Sequence, residues 1–449
     1  MKLARWLALI FALSCPVWAQ EALTLEAALK ALQNSPSWRS ADLSYESALR
    51  ALEAAQAASG LQVTPGASYT LADSGGSTSN NLTLSGTASL NVLPWTPSAD
   101  AIRAAQRALE RAALTRASTR NTLYATLISQ YFGVRQAMES NSLAQANLKL
   151  QEALTRVAQA KYDTGQLSLS DLLTQQQALE SAQVSAGSAV GNLEIARQTL
   201  ANTLGIPASN LGEFPTAPTA PTLPTEPLEA LISQAQARRP DVRIAQSQLE
   251  DAQDNLSIAQ RNRWLPDSSV NLGYSVRNPT TGTTTTSISA GLDFKSGAAG
   301  LSASVPVVSS SSGSTANVLS LGLSVSFPLL APSGDASIRS SQTALSAAQL
   351  ALQSAQRAAE LDVRQKYQQA QTALAQVGIA QAALTTANQT LKTAQAKLAA
   401  GTGTAVDVQQ AQVNVQQAQV NLDSAIINAQ TAAIALQNAL GVNLTGANP

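Results

Sequence analysis

Apolar and small polar residues alternate strictly in four stretches of the chain, residues 67–71, 82–90, 270–276 and 319–327. This period of two predicts strands with one apolar face and one polar face. The longer stretches have about ten residues, which suits a tilted strand that crosses a membrane and lines water with its polar face. Four strands cannot close a barrel around a channel, and lipid does not tolerate open strand edges. The pattern therefore predicts an oligomer of this chain.

A seven-residue apolar period occupies two further regions, which predicts long helices packed as coiled coils. Alanines recur three positions later and would let neighbouring helices approach closely. Each region is preceded by a helical arm of about 64 residues, roughly 95 Å long, so we expect two long hairpins. The repeating positions are Leu172, Leu179, Ala186, Leu193 and Leu200 in the first region, and Val408, Val415, Leu422, Ala429 and Leu436 in the second.

The chain is an internal duplication. An offset of 236 residues aligns residues 101–206 with the second half without a gap, and it pairs Tyr131 with Tyr367. We expect a first repeat over 20–204 and a second over 228–449, each opening with a single helix, at 25–59 and 228–263. Between them lies a connector, 205–227, whose six prolines exclude a helix. Either a flexible linker or a strap packed on helices fits that composition.

The start of the chain predicts export. Lys2 and Arg5 are followed by a short apolar run and by Ala19, a pattern typical of a signal peptide over residues 1–19. Cys15 would have to become the first mature residue in a lipoprotein, and Pro16 beside it argues against that. Loss of Lys2 and Arg5 would leave a net charge of −2, because the whole chain has 28 basic and 28 acidic residues.

The mature chain would have no cysteine and no histidine. This excludes disulfides, Cys or His nucleophilic chemistry, and zinc or copper sites built on thiolate or imidazole. We expect no catalytic residue, no metal, no cofactor and no nucleic acid, since no basic face is present. A hydrolase using paired carboxylates would have Asp171 and Asp407 as its acids, but both fit the starts of helices better.

Both predicted hairpin turns carry the same signature, a glycine followed six residues later by aspartate and an apolar residue. Gly165 would end one helix in a left-handed conformation, and Ser170 or Asp171 would help start the next. Each β region also ends in a proline-led junction to a long helix. There we expect the caps to be Ser98 or Asp100 in the first repeat and Ser333 or Asp335 in the second.

This order of elements and these turns resemble the TolC-like outer-membrane efflux family over essentially the whole mature chain. The resemblance implies a membrane α+β fold: a trimeric transmembrane β-barrel of twelve strands, four from each subunit, continued by a long periplasmic α-helical coiled-coil barrel. It implies an outer-membrane channel that reaches into the periplasm. Its expected partners are two further copies, outer-membrane lipid, a periplasmic membrane-fusion adaptor and, directly or through the adaptor, an inner-membrane transporter.

The resemblance further implies a passive exit duct for efflux or type I secretion, whose cargo the sequence leaves open. The hairpin tips would meet the adaptor. The tip residues are Gly165, Gln166, Leu167, Ser168, Asp171, Leu172, Gly401, Thr402, Gly403, Asp407 and Val408.

Two features depart from the family pattern. The second β region is longer by two alternating stretches, residues 288–294 and 301–307. They could add two barrel strands, but the Ser, Thr and Gly around them favour a hairpin outside the membrane. Before the tips the chain offers basic residues, which would form a positive constriction if they face the lumen and no constriction if they face outwards. These candidates are Arg156, Lys161, Lys392 and Lys397.

A coiled-coil envelope scaffold or tether with a β anchor is the alternative function. It explains the helices and the export signal. It does not explain why the β region is duplicated in step with the helices.

Overall fold

A computed structural model describes residues 22–74, 77–93, 95–277, 284–309, 316–326 and 332–444. The predicted signal peptide and Cys15 lie outside these residues. The helices are α1 (Leu25–Leu32), α2 (Pro36–Ala58), α3 (Pro97–Asp163), α4 (Leu169–Leu204), α5 (Leu228–Arg238), α6 (Pro240–Trp264), α7 (Pro332–Ala399) and α8 (Ala405–Ala439). The strands are β1 (Gln62–Ser74), β2 (Ser77–Asn91), β3 (Asp267–Arg277), β4 (Thr284–Asp293), β5 (Ala298–Ser309) and β6 (Ala316–Ser326).

Each repeat opens with two helices, so the prediction of single helices over 25–59 and 228–263 is wrong. The breaks fall at Pro36 and Pro240, each the first residue of its helix. Proline has no N–H to donate and is tolerated only in the first turn, so it starts a new helix. Ser35 supports the first break, since its side-chain oxygen accepts a hydrogen bond from the Trp38 amide (3.3 Å).

Described residues of 22–40, 119–234 and 361–444 form one compact unit. At the centre of its core lies Tyr131, which is fully buried against Phe132 and Phe214 with ring centroids 5.4 and 5.2 Å away. The Tyr131 hydroxyl donates to the carbonyl of Leu23 over 2.8 Å. Leu127, Leu200, Leu204 and Leu211 belong to the same buried cluster.

The proline-rich connector contributes to this core. It has one short 3₁₀ turn, Ala208–Asn210, and is otherwise without helix or strand. Phe214 is buried in the cluster. The guanidinium of Arg135 on α3 donates to the carbonyl of Thr216 (3.2 Å), whose hydroxyl accepts from the Leu25 amide (3.2 Å). These hydrogen bonds hold the connector in place, because its backbone groups there have no partners within a helix or strand.

The second unit comprises the described parts of 41–118 and 235–360. Its helices α3 and α6 are joined by ion pairs along their length. Arg107 pairs with Asp251 and, at 2.6 Å, with Asp254, and Arg111 contacts Asp251 at 2.5 Å. In these pairs the cations come from α3, whereas Arg243 of α6 pairs with Glu110 of α3 over 2.8 Å in the opposite sense. Each helix therefore supplies both cations and carboxylates to the contact.

The same unit contains one antiparallel sheet of six strands in the order β1-β2-β5-β4-β3-β6. The two extra alternating stretches form the strands β4 and β5 at its centre. Whether they lie in the membrane or outside it stays a prediction. β5 pairs with β2 and β4 pairs with β3. Their Ser, Thr and Gly residues alternate with apolar ones in the same phase as in the neighbouring strands, which is why they fit the ladder.

The register gives this sheet one apolar face and one small polar face, because residues directly opposite each other in neighbouring strands share a face. One apolar row runs across all six strands, and the next row is of the same kind. The first row consists of Val63, Ala88, Leu301, Ala290, Leu272 and Leu321. A row of the opposite face contains Thr64, Thr87, Ser302, Ser289, Gly273 and Ser320.

The expected caps of the long helices are wrong. Ser98 and Asp100 lie inside α3, whose cap is Thr96: its buried hydroxyl accepts from the Ala99 amide over 3.2 Å. Ser333 and Asp335 likewise lie inside α7. The carboxylates serve in ion pairs instead, Asp100 with Arg261 and Asp335 with Arg263.

Candidate functional site

The first hairpin tip joins α3 to α4 through a tight turn. Gly165 has φ +74°, and the amides of Gly165 and Gln166 donate to the carbonyls of Tyr162 (2.9 Å) and Lys161 (2.8 Å). These bonds close the end of α3 by the glycine motif that the sequence predicts. Ser168 caps α4 by accepting from the Asp171 amide over 3.1 Å, and its hydroxyl donates to the Asp171 carboxylate over 2.7 Å. Of the two residues predicted to help start α4, Asp171 therefore takes part and Ser170 does not. Ser170 lies inside α4.

The second tip repeats this chemistry between α7 and α8. Gly401 has φ +72°, and the Thr402 amide donates to the carbonyl of Lys397 over 2.9 Å. Thr404 and Asp407 form a reciprocal capping box: Thr404 accepts from the Asp407 amide (3.1 Å), and the Asp407 carboxylate accepts from the Thr404 amide (2.8 Å). Hydrogen bonds from the Thr404 side chain and backbone hold the pKa of Asp407 below its ordinary value.

The tips expose most of the residues expected to meet an adaptor. Gln166, Ser168, Asp171, Thr402 and Asp407 are exposed, whereas Leu172 is buried and anchors the start of α4. Leu167, Gly403 and Val408 are partly buried, and Gly165 and Gly401 are exposed. The chemistry of Asp171 and Asp407 is therefore helix capping. Contact with an adaptor stays a prediction for these residues.

The left-handed glycines give a direct test of the turns. A Cβ on Gly165 or Gly401 would meet nothing within 4 Å, so only the positive φ opposes a side chain. We expect Gly165→Ala and Gly401→Ala each to lower the free energy of unfolding by about 1 kcal/mol. Gly187, inside α4 with equally open space, is the matched control. Gly187→Ala should raise stability by about 0.5–1 kcal/mol in the same urea titration, and equal effects at all three positions would contradict the turn geometry.

The four basic residues near the tips have exposed side chains. Arg156 donates from Nε to the carbonyl of Glu152 on its own helix over 3.3 Å. Lys397 lies close enough to Asp407 for its charge to contribute to the lowered pKa of that carboxyl. Their exposure is compatible with a charged lining. A constriction formed by Arg156, Lys161, Lys392 and Lys397 stays a prediction.

Sequence reasoning missed a carboxyl pair between α3 and α8. Glu139 Oε1 accepts from Arg135 Nε over 3.1 Å, whereas its Oε2 is buried and no donor within the described ranges reaches it. Burial and the neighbouring carboxylate of Asp423 raise the pKa of Glu139 to about 7, although Arg135 opposes the shift. Glu139 and Asp423 are 284 positions apart, so no local sequence pattern connects them. The one indication in the sequence is that each places a carboxylate in a helix predicted to pack in a coiled coil.

The described residues contain no cluster of three or more His, Cys, Asp or Glu side chains that could hold a metal ion. None of the helices in the described ranges is long and apolar enough to span a membrane.

Comparison with known proteins identifies the family. The family model for outer membrane efflux proteins matches residues 28–206 and 231–442. Among solved structures, the outer membrane protein VceC of Vibrio cholerae superposes with a TM-score of 0.67 at 18% identity, covering 93% of this chain and 96% of VceC. No curated protein sequence matches the chain.

Two further solved channels share the fold. The Campylobacter jejuni CmeC outer membrane channel has a TM-score of 0.68 at 15% identity, with 93% of this chain and 85% of CmeC covered. The open state of the Neisseria gonorrhoeae MtrE outer membrane channel has a TM-score of 0.63 at 20% identity, with 94% and 89% covered. The family match confirms the resemblance drawn from the duplicated hairpins, and these structures share its fold. The chain belongs to the outer membrane efflux protein family.

Proposed function

We propose that this chain is the subunit of a passive exit duct in the outer membrane. Three copies close a β-barrel with their sheets and a periplasmic tunnel with their helices. The hairpin tips dock to a periplasmic adaptor, through which the duct serves an inner-membrane pump in efflux or type I secretion. The chain supplies no energy, because its sequence has no phosphate-binding loop.

The two-faced sheet carries this proposal. Large apolar side chains on one face are exposed in the single chain: Leu272 to 50%, Leu301 to 53% and Leu321 to 75%. A soluble protein rarely leaves so large an apolar surface uncovered, and lipid is the medium that would cover it. The opposite face of Ser, Thr and Gly suits water. One side of β1 and one side of β6 have no strand partner in the described ranges, so further copies are needed to pair them.

The docking role of the tips is supported by their construction. Both turns are closed by internal hydrogen bonds, yet they expose polar groups at the end of a helical pair. The rigid turns would present these groups to a partner helix at little entropic cost.

The assembly is tested by mass and membrane association. Solubilised in detergent and measured by light scattering with the detergent subtracted, the protein should have a mass of about 140 kDa, close to three chains of 46.4 kDa. It should also float with lipid vesicles. A monomer that is soluble without detergent and does not float would reject the duct and favour an envelope scaffold.

The basic residues near the tips predict charge selectivity. If Arg156 and Lys392 face the lumen, three copies of each form a positive ring that favours anions. The double variant Arg156→Glu, Lys392→Glu should then shift the reversal potential in a salt gradient towards the value for cations. Lys30→Glu, which reverses a charge on α1, is the control and should leave the potential unchanged. An unchanged potential in the double variant would place both side chains outside the lumen.

A further inference from the structure

The hairpin β4–β5 lies at the centre of the sheet and affects the width of the channel. We propose that this hairpin is part of the membrane wall, so that each subunit contributes six strands and three copies close an eighteen-stranded barrel. This rests on the proposed function, and it departs from the twelve strands that the family resemblance implies. The partner surface is a second copy of this chain, whose β6 edge pairs with the free edge of β1.

The face pattern of the hairpin supports a place in the wall. Ile288 and Leu292 of β4 lie opposite Tyr274 and Val270 of β3, so they extend the apolar face without a break. On the polar face, Ser289 and Ser302 are hydrogen-bonded to each other at 2.7 Å. In a hairpin surrounded by water, neither face would need to be apolar. The continuous apolar face across β3, β4 and β5 therefore favours a place in the membrane.

The lengths and charges of the two strands agree with this placement. β4 has 10 residues and β5 has 12, and a tilted strand of about 9–11 residues crosses the apolar core of a bilayer. The one charged residue in them is Asp293, at the last position of β4. Charges on the lipid face would be costly at the middle of the membrane, and the sequence has none there.

The turn between β4 and β5 is fixed on both sides. The carbonyl of Gly297 accepts from the Val92 amide after β2 (3.0 Å), and the Phe294 amide donates to the carbonyl of Ser268 in β3 (2.9 Å). Trp95 Nε1 donates to the carbonyl of Phe294 over 3.0 Å. The turn is thus hydrogen-bonded to the end of β2 and to β3, the two strands that flank the hairpin in the sheet. This is what a strand pair inside a barrel wall requires.

Gly297 shows how closely the turn fits. It has φ +68°, and an added Cβ would approach the Cβ of Leu93 to 2.9 Å. Both the backbone conformation and the space therefore demand glycine at this point. The Lys295 ammonium, 2.7 Å from Asp267, adds an ion pair to the first residue of β3.

The added strands widen the barrel. Strands lie about 4.8 Å apart and tilt by about 40°, so eighteen strands give a backbone diameter of about 36 Å and twelve give about 24 Å. A wall of Ser, Thr and Gly side chains takes up little of that width. The membrane part of this duct would therefore pass bulkier hydrated solutes than a twelve-stranded barrel can.

Engineered disulfides test the strand order inside each subunit, since the chain's one cysteine, Cys15, falls in the predicted signal peptide. The pair Ala88→Cys, Leu301→Cys joins β2 to β5 and should cross-link. The pair Ala88→Cys, Leu272→Cys should not, because three strand spacings, about 14 Å, exceed the reach of a disulfide. Ala67→Cys, Leu84→Cys joins neighbours in either arrangement and is the positive control.

Cross-linking of Ala88 to Leu272 instead of Leu301 would overturn the proposal, because it would place β2 beside β3 with the hairpin outside. This result is independent of channel activity. Loss of the three-chain mass would reject the proposed function, whatever the disulfide pairs show.

Deletion of residues 284–315 tests the width. It removes β4 and β5 and leaves β3 and β6 as an ordinary hairpin, since these two strands already pair. In averaged end-on electron micrographs, the ring of the full chain should be about 1.5-fold wider than that of the deletion variant. Equal diameters would overturn the proposal. If the variant does not assemble, a full-chain ring of about 36 Å supports the proposal and one of about 24 Å overturns it.

Discussion

Replacing Tyr131 by alanine is expected to lower the free energy of unfolding by about 3–5 kcal/mol. The side chain is fully buried and contacts the rings of Phe132 and Phe214, so its loss leaves a cavity where α3 meets the connector. The carbonyl of Leu23 also loses its donor. The measurement is urea unfolding in detergent, followed by the helical circular dichroism signal.

Two variants separate the contributions at this position. Tyr131→Phe keeps the ring and should cost about 1 kcal/mol, since only the hydrogen bond to Leu23 is lost. Tyr162→Ala removes a side chain that is 39% exposed at the end of the same helix, and it should change stability by no more than about 0.5 kcal/mol. If Tyr131→Ala were no more harmful than Tyr162→Ala, the buried cluster would not hold this unit together.

Replacing Glu139 by glutamine is expected to stabilise the protein at high pH and not at low pH. Burial and Asp423 raise the pKa of Glu139 to about 7 from its ordinary 4.5, so the folded protein holds a proton that the unfolded chain releases. The contribution of Glu139 to stability is therefore fully present below about pH 4.5, and it is lost as the pH rises through about 7. The rise in pKa corresponds to about 3 kcal/mol, which solvent reduces to about 2 kcal/mol at pH 8 because the carboxyl is only half buried, and glutamine avoids this cost.

The measurement is the difference in urea midpoint between pH 5 and pH 8. It should shrink in Glu139→Gln, because the amide does not titrate, while its oxygen still accepts from Arg135. Glu152→Gln removes an exposed carboxyl from the same helix and is the control, which should keep the wild-type difference. An unchanged difference in Glu139→Gln would show that this pair does not set the pH dependence.

The periodic parts of the fold could be predicted from the sequence because their signals are local. The seven-residue rows of α4 place Leu172, Ala186 and Leu200 on the buried side, as expected. The turn glycines Gly165 and Gly401 have the positive φ that their position after a helix predicts. Alternating stretches became strands in every case in which the chain is described.

What could not be predicted depends on long-range choices. The alternation of β4 and β5 predicts strands but not their neighbours, since the place between β2 and β3 is decided by pairing over about 200 residues. Several polar side chains near each helix start could have been the cap. Thr96 and Ser168 are the caps because the chain turns into the helix at these residues. Asp100 instead forms an ion pair with Arg261 on another helix.

In the proposed duct, copies of this chain close a water-filled channel. Single-channel current from the purified assembly in a planar lipid bilayer tests this most directly. We expect discrete, uniform conductance steps from the particle that contains three chains. A three-chain particle that enters the bilayer and carries no current at any voltage would show that the chain does not form a channel.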